Sequence, residues 1–260
     1  MKLMVLSATH QVAGERGPVY EFFLKRMEHI RKEYGIEMLV VGNEGNISKD
    51  VTLKYGAHYL EFENKPVSNK WNAGMLALKE YGPTHVMIMG SDDFVSDSLI
   101  ETFIAILSAG DYNIVGITDS YYCSYNTGRA YFGMCLYWPG YPKGEIIGYC
   151  RTFSREILNA VGWEPWPRGM NAGLDRAASA KIKGSGVGQR PFKFSVREQD
   201  CLHIDIKTRA NISSIAPIVR RSTELNLDLP DILYKYLPAD EVDPIIEYLK
   251  TLVHDKDKGR

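Results

Sequence analysis

The chain has 260 residues, of which 45% are hydrophobic and 24% charged, and a formal net charge of −1. That length suits one sizeable α/β domain or a domain with appendages, and buries a substantial core without disulfides. The near-neutral balance gives no general attraction to nucleic acid or anionic lipid. Four scattered cysteines (Cys123, Cys135, Cys150, Cys201) form no Cys-x-x-Cys pair, which argues against a zinc site and reads as reduced thiols of a cytoplasmic protein. The apolar start at 3–6 is too short for a signal peptide, and no run is long enough to cross a membrane.

Residues 2–8 are apolar nearly throughout and predict a first strand, with Thr9 at its carboxyl end. Pro18 marks a helix start and Gly35 its stop. Between them Val19, Phe22, Phe23, Met27, Ile30 and Tyr34 recur at three- and four-residue spacing, the stripe of a helix that covers a sheet. Residues 37–42 predict a second strand ending at Asn43, which completes a right-handed βαβ unit. A helix follows over 69–81, stopped by Gly82-Pro83, and 85–89 is a short apolar run of the kind buried on both faces of a parallel sheet. Gly90, Ser91, Asp92 and Asp93 come next. Ligands of open α/β sheets bind beyond the carboxyl ends of strands, and adjacent carboxylates there suit a hard divalent cation. The same pair also reads as an Asp-rich turn before the next helix.

Ser96 caps that helix, which buries Leu99, Ile100, Phe103, Ile104 and Leu107 and stops at Gly110; 113–118 is the next strand. Residues 121–141 carry eight aromatic side chains in alternating segments around Asn126-Thr127-Gly128 and predict a β-hairpin or meander. Its aromatics read as core or as a face that stacks on sugar rings. A strand over 147–155 leads into a short helix through Ile157, Leu158 and Val161, and another helix opens at 171–176. The glycine-rich stretch 183–190 reads as a connector or a flap. Residues 201–207 alternate, with Cys201, His203 and Asp205 on one face and Leu202, Ile204 and Ile206 on the other. Residues 229–237 and 240–253 predict helices packed on the domain edge, before a charged tail.

The run EFENKPVSNKWNAG at 61–74, followed by a helix and a buried strand that ends in acidic residues, resembles the nucleotide-sugar half of a GT-A glycosyltransferase of family 2. Asn64, Lys65, Ser68, Asn72 and Gly74 fall on the family pattern in order, while Gly90 stands where the family has the first Asp of Asp-x-Asp. The strand-to-helix passage at 147–162 is also similar. The resemblance implies an α/β GT-A (Rossmann-like) fold with a mixed, mostly parallel central sheet flanked by helices, a small aromatic-rich hairpin and C-terminal helices. The transferase domain would be 1–215, with a nucleotide-sugar half (1–120) and an acceptor half (121–215), and 216–260 a helical extension.

Functionally, the resemblance implies transfer of a sugar from a nucleoside diphosphate donor, a UDP-sugar first, to an acceptor hydroxyl with inversion. Mn²⁺ or Mg²⁺ would be held by Asp92 and Asp93, with His203 as a late histidine ligand. Thr9, Asn43, Asn64, Lys65, Asn72, Gly74, Ser91 and Arg151 would bind the donor. Asp175 falls where the family keeps its catalytic base, although Leu174 replaces the Glu that precedes it there. Read as residues alone, Thr9 and Asn43 are also turn and cap residues, His203 a structural histidine, and Asp175 a first-turn carboxylate facing the helix dipole. A nucleotidyltransferase of related topology and a catalytically silent nucleotide-sugar-binding module are the alternatives. A polysaccharide, a protein, a lipid-linked glycan or a modified nucleobase in DNA would all serve as acceptor.

Overall fold

The apolar run that starts the chain is an interior strand of its main sheet. In the computed structural model, which describes residues 1–14, 16–124, 134–141, 143–207, 216–225 and 227–254, β1 (Leu3–Ala8) lies between β2 (Glu37–Gly42) and β4 (His85–Gly90), parallel to both. Strand β3 (His58–Glu61) extends the sheet beyond β2. On the other side β9 (Thr152–Ser154) pairs antiparallel with β4 and β6 (Ile114–Ile117), and β10 (Pro191–Phe194) closes the edge parallel to β6. The order is β10-β6-β9-β4-β1-β2-β3. Six of these strands run one way, which requires helices on both faces.

Side-chain alternation explains why β1 and β2 are apolar at nearly every position. Leu3, Val5, Met38 and Val40 join Tyr20, Phe23, Leu24, Met27 and Ile30 of α1 (Arg16–Tyr34) in one core. Met4, Leu6, Leu39 and Val41 join Met75 and Leu78 of α3 (Val67–Lys79), with Ile157 and Leu158 of α5 (Arg155–Ala160) and Ala178 and Ile182 of α6 (Leu174–Gly184), in the other. Helix α2 (Asn46–Lys54) links β2 to β3. Gly74 of α3 is a packing residue: a Cβ there would lie 2.5 Å from Leu6 and 2.6 Å from Val41.

A second sheet, in the order β12-β8-β7-β11-β5, leans on the first. Its strands are β5 (Asp93–Val95), β7 (Ser120–Ser124), β8 (Met134–Trp138), β11 (His203–Lys207) and β12 (Thr223–Glu224). Helix α4 (Asp97–Ser108) follows β5, with Ser96 Oγ accepting from the Leu99 amide as the sequence predicts. Strands β7 and β8 are the expected hairpin; the predicted turn at 126–128 lies outside the described residues. Leu202, Ile204 and Ile206 pack under α8 (Leu229–Tyr236) and α9 (Ala239–His254), the C-terminal helices, which follow the short α7 (Ala216–Val219). Two expectations change. The acidic turn is partly a strand, because Asp93 begins β5 and pairs with Asp205 across β11. The strand expected over 147–155 shrinks to β9, because the backbone turns at Cys150 with φ 53°.

The guanidinium of Arg26, 1% exposed, ties α1 to both neighbours. It donates to Val95 O (2.9 Å), Asp97 Oδ1 (2.6 Å) and Glu241 Oε1 (3.3 Å). Burial raises the pKa of Glu241 even with Arg26 beside it. Arg26→Met leaves that carboxylate buried without its cation and is expected to destabilise the fold by about 3 kcal/mol, read as a lower denaturant midpoint at unchanged slope. A loss below about 1 kcal/mol would show that the α9 helix is held by its apolar face alone.

Candidate functional site

One cavity of about 520 Å³ opens at the carboxyl ends of β1 and β4. Thr9, His10, Asn64, Lys70 and Trp71 form one wall and Gly148, Arg151, Trp166 and Asp175 the other; Ser91, Asp92, Arg16 and Lys207 line it between them.

The acidic residues gather where the two sheets meet. Asp92, Asp93 and Asp205 place ligand atoms within 4.8 Å of one another. The chain leaves β4 at Gly90 and enters β5 at Asp93, so Asp93 is delivered directly opposite Asp205 of the buried strand β11. Glycine at 90 is required by close approach. A Cβ would sit 2.9 Å from both Asp92 Oδ1 and Asp93 Oδ2, and the Gly90 amide donates to Asp93 Oδ2 at 2.5 Å. An Asp at that position would displace the two carboxylates that follow it.

Burial, with further charge from Asp92 and Asp93, pushes Asp205 up to about 7 in spite of Lys207. Two cations offset this charge. Lys207 Nζ is 2.5 Å from Asp205 Oδ2 and 4.0 Å from Asp92 Oδ2, and Arg16 Nη2 is 3.3 Å from Asp92 Oδ1 and donates to Ser91 Oγ at 2.8 Å. Burial disfavours the Lys207 ammonium, but Asp205 and Asp92 outweigh it and raise its pKa. His203 stands behind the cluster. Its Nδ1 meets Ser120 Oγ at 2.5 Å, its Nε2 lies 3.6 Å from Asp93 Oδ1, and its ring stacks on Tyr149. Among the described residues, Asp93 Oδ1 and Asp205 Oδ1 are buried without a hydrogen-bond partner. Orphaned oxygens in a three-carboxylate set fit a hard divalent cation.

The first wall centres on Lys70, which is buried and donates to Thr9 O (2.5 Å), Asn43 Oδ1 (2.8 Å) and Asn64 Oδ1 (3.1 Å). Burial lowers its pKa to about 8. His10 beside it is lowered to about 4 by burial and by the charges of Arg16 and Lys70, so it is neutral at pH 7. Thr9 Oγ1 is buried without a hydrogen-bond partner among the described residues. Of the residues the sequence singles out, Thr9, Asn64, Ser91, Asp92, Arg151 and Asp175 reach the cavity; Asn43, Lys65, Asn72, Gly74, Asp93 and His203 do not line it. Lys65 is exposed. Asn72 is a clasp, donating to Trp166 O at 2.8 Å and accepting from the Trp166 amide at 3.3 Å.

On the opposite wall, the Asp175 carboxylate in the first turn of α6 accepts from Tyr141 Oη at 3.3 Å and lies directly over Gly148, where a Cβ would be 2.2 Å from Asp175 Oδ1. Arg151 aims its donors at backbone and hydroxyl oxygens: Ile147 O, Asp175 O, Ser179 Oγ and Ile146 O. It pins α6 to the 146–148 loop. A second cavity of about 610 Å³, lined by Glu145, Arg176, Gln189 and Lys193 among others, shares Tyr141, Arg151 and Asp175 with the first.

His10, Arg16, Lys70, Asp205 and Lys207 are the site residues that the sequence reading passes over. Asp205 and Lys207 share the alternating face that contains His203, so they were within reach of that pattern. Nothing in the local sequence marks Arg16 or Lys70.

No protein-family model matches the chain, and no curated protein matches it by sequence. Among solved structures it is similar to S. aureus TarS. Against TarS 1–349 in complex with UDP-GlcNAc the TM-score is 0.52 at 14% identity, over 83% of this chain and 61% of that one. Against the same fragment in complex with UDP it is 0.50 at 14% identity, over 79% and 60%. Against the longer TarS chain it is 0.51 at 14% identity, over 80% and 37%. This chain thus spans less than two thirds of each of these TarS chains. At that identity the likeness is one of fold, and the fold is the GT-A-type α/β architecture that the sequence implies.

Two expectations follow from the site's geometry. Lys70 titrates near 8 when folded against an ordinary 10.5. Below about 8 both states carry the proton and the folded state bears the full burial penalty; between about 8 and 10.5 only the unfolded state binds it, so stability rises with pH there. Lys70→Met is expected to flatten that rise in melts between pH 7.5 and 10, and an unchanged slope would remove Lys70 as its cause. Gly90→Ala is expected to keep the fold while weakening Mn²⁺ binding by calorimetry, because the added methyl displaces Asp92 and Asp93. Wild-type affinity would show that the two carboxylates do not act together.

Proposed function

We propose that the chain transfers a sugar from a nucleoside diphosphate sugar, UDP-linked, to an acceptor hydroxyl. The observation that carries this reading is one cavity in which buried cations (Arg16, Lys70, Lys207) and Asp92, the member of the three-carboxylate cluster that lines it, face a half-buried carboxylate, Asp175, across the ends of the sheet. Such a cavity suits a ligand with a charged diphosphate in its middle and a polar group at either end. The likeness in fold to TarS, which is known in complex with UDP-GlcNAc, supports the donor class.

The nucleoside lies against the Lys70 wall, where Thr9 Oγ1 and Asn64 offer polar contacts. Arg16 and Lys207 turn their charges to the diphosphate. Asp92, Asp93 and Asp205 would hold Mn²⁺ or Mg²⁺, which supplies positive charge against the leaving diphosphate. Fixed charges of this kind stabilise the transition state because they need no reorganisation as charge develops.

Asp175 is the base. It takes the proton of the acceptor hydroxyl as that oxygen attacks the anomeric carbon; the bond from that carbon to the diphosphate oxygen breaks, and the nucleoside diphosphate leaves with the electron pair. One base opposite the leaving group gives inversion. Tyr141 and Gly148 fix the carboxylate, and Arg151 acts as a positioning residue through the first turn of α6. The second cavity beyond Asp175 receives the acceptor.

Donor binding stabilises the fold by mass action. A saturating UDP-sugar with Mn²⁺ is therefore expected to raise the melting temperature more than it does with EDTA. Equal shifts would argue against a metal-bridged diphosphate, and consumption of a nucleoside triphosphate with release of pyrophosphate would replace this reading with nucleotidyl transfer. Asp175→Asn is expected to lower turnover by about 10²- to 10⁴-fold while leaving the donor dissociation constant nearly unchanged, as for a group that acts in the transition state. Near-normal turnover in the folded variant would sink Asp175 as base.

A further inference from the structure

Two thiols of the second sheet take no part in the transfer chemistry and face each other. Cys123 of β7 and Cys135 of β8 are direct partners in the antiparallel register. Both are free and buried, and their sulfur atoms are 2.7 Å apart. Directly opposed residues of an antiparallel pair hold their Cα atoms about 4.5 or 5.5 Å apart, and a disulfide spans about 4.4–6.8 Å. The ladder therefore places the two thiols face to face, across a Cα span of the kind a disulfide bridges. The other two cysteines are placed elsewhere: Cys201 Sγ contacts Thr102 Oγ1 at 3.8 Å and Gln199 O at 3.4 Å, and Cys150 is packed in the α1-side core.

We propose that Cys123 and Cys135 are a site of oxidative modification and form an intramolecular disulfide. With a low-molecular-weight disulfide such as oxidised glutathione, the Cys123 thiol gives up its proton and attacks one glutathione sulfur. A mixed disulfide forms and one glutathione leaves as thiolate. Cys135, deprotonated in turn, attacks the Cys123 sulfur; the Cys123–Cys135 bond forms and the second glutathione leaves. Two protein thiols are oxidised, and one glutathione disulfide is reduced to two thiols.

The pair is buried in one core cluster with Phe94, Ile204, Ile206 and Leu229, so exchange requires local opening of the strand pair. The same burial then shields the finished bond. Its location gives it reach: β7 is bonded to β8 on one side and to β11, with Asp205 and Lys207, on the other. Cross-linking β7 to β8 stiffens the strand that neighbours Asp205. None of this depends on which reaction the cavity performs.

The test uses the whole folded protein, incubated with oxidised glutathione at a urea concentration below its unfolding transition, with a reductant-treated sample in parallel. The expected product is two hydrogens lighter by intact mass, retains Cys150 and Cys201 as free thiols, and yields a non-reducing peptide map that joins Cys123 to Cys135. Its melting temperature rises above that of the reduced protein, since a cross-link restricts the unfolded chain, and Cys135→Ala shows neither the mass loss nor the rise. Four free thiols after prolonged incubation, a stable glutathione adduct, or a bond mapping to Cys150 or Cys201 would each overturn the proposal. Should Cys135→Ala fail to fold, the wild-type map decides alone.

Discussion

Three carboxylates lie within 4.8 Å of one another at the joint between two sheets, largely removed from water. Like charges at that distance repel by several kcal/mol at the effective dielectric of a protein interior, and burial adds to the penalty. The molecule answers in three ways. It lets Asp205 titrate near neutrality, it brings Lys207 against Asp205 and Asp92, and it reaches Asp92 with Arg16 from the start of α1. Glycine at 90 leaves the space into which the first two carboxylates fold. The cluster is in effect charge-balanced before any ligand arrives.

That balance depends on the two-sheet architecture. The parallel sheet ends at Gly90, and three residues later the chain is already in the second sheet as β5. Only because β5 pairs antiparallel with β11 does Asp93 meet Asp205, some hundred positions away in sequence. The C-terminal helices cover the apolar face of β11, which leaves Asp205 and Lys207 turned to the other side. Helix α1 serves both regions, with Arg16 at the acidic cluster and Arg26 joined to Glu241 of α9.

The facing wall is held by a clasp between α3 and the loop 163–173. The Val67 and Ser68 amides, orphan donors of the first helical turn, are taken by Asn171 Oδ1 and Met170 O. Asn69 and Asn72 return bonds to Gly169 and Trp166, and Trp71 packs against Trp166. The helix start therefore fixes the loop that leads to Asp175, and Arg151 fixes the first turn after it. A carboxylate on a short helix is thereby locked to the main sheet from two directions.

Much of this was legible in the sequence. Unbroken apolar runs at 2–8, 37–42 and 85–89 determine strands covered on both faces, and the stripe from Val19 to Tyr34 determines the helix that covers one of them. Ser96 marks the start of α4, and the segment 61–74 with the aspartates after Met89 marks the site. Strand β5 escaped because Asp93-Phe94-Val95 is too short to show a period, and β9 was overextended because a left-handed turn at Cys150 interrupts an apolar stretch. Site chemistry needed distance in space. Asn72 and Gly74 carry the motif, yet one holds Trp166 and the other lets α3 approach Leu6 and Val41. Lys70 and Arg16 have no local signature because their partners (Thr9, Asn43 and Asn64 for one, Ser91 and Asp92 for the other) are brought to them only by packing. The sequence by itself determined the periodic elements and the end of the sheet at which the cavity opens, since burial on one or two faces is written in local spacing. Tertiary structure alone decided which charges meet there, because the pairing of β5 with β11 and the docking of α6 over Gly148 join segments whose separation no local pattern records.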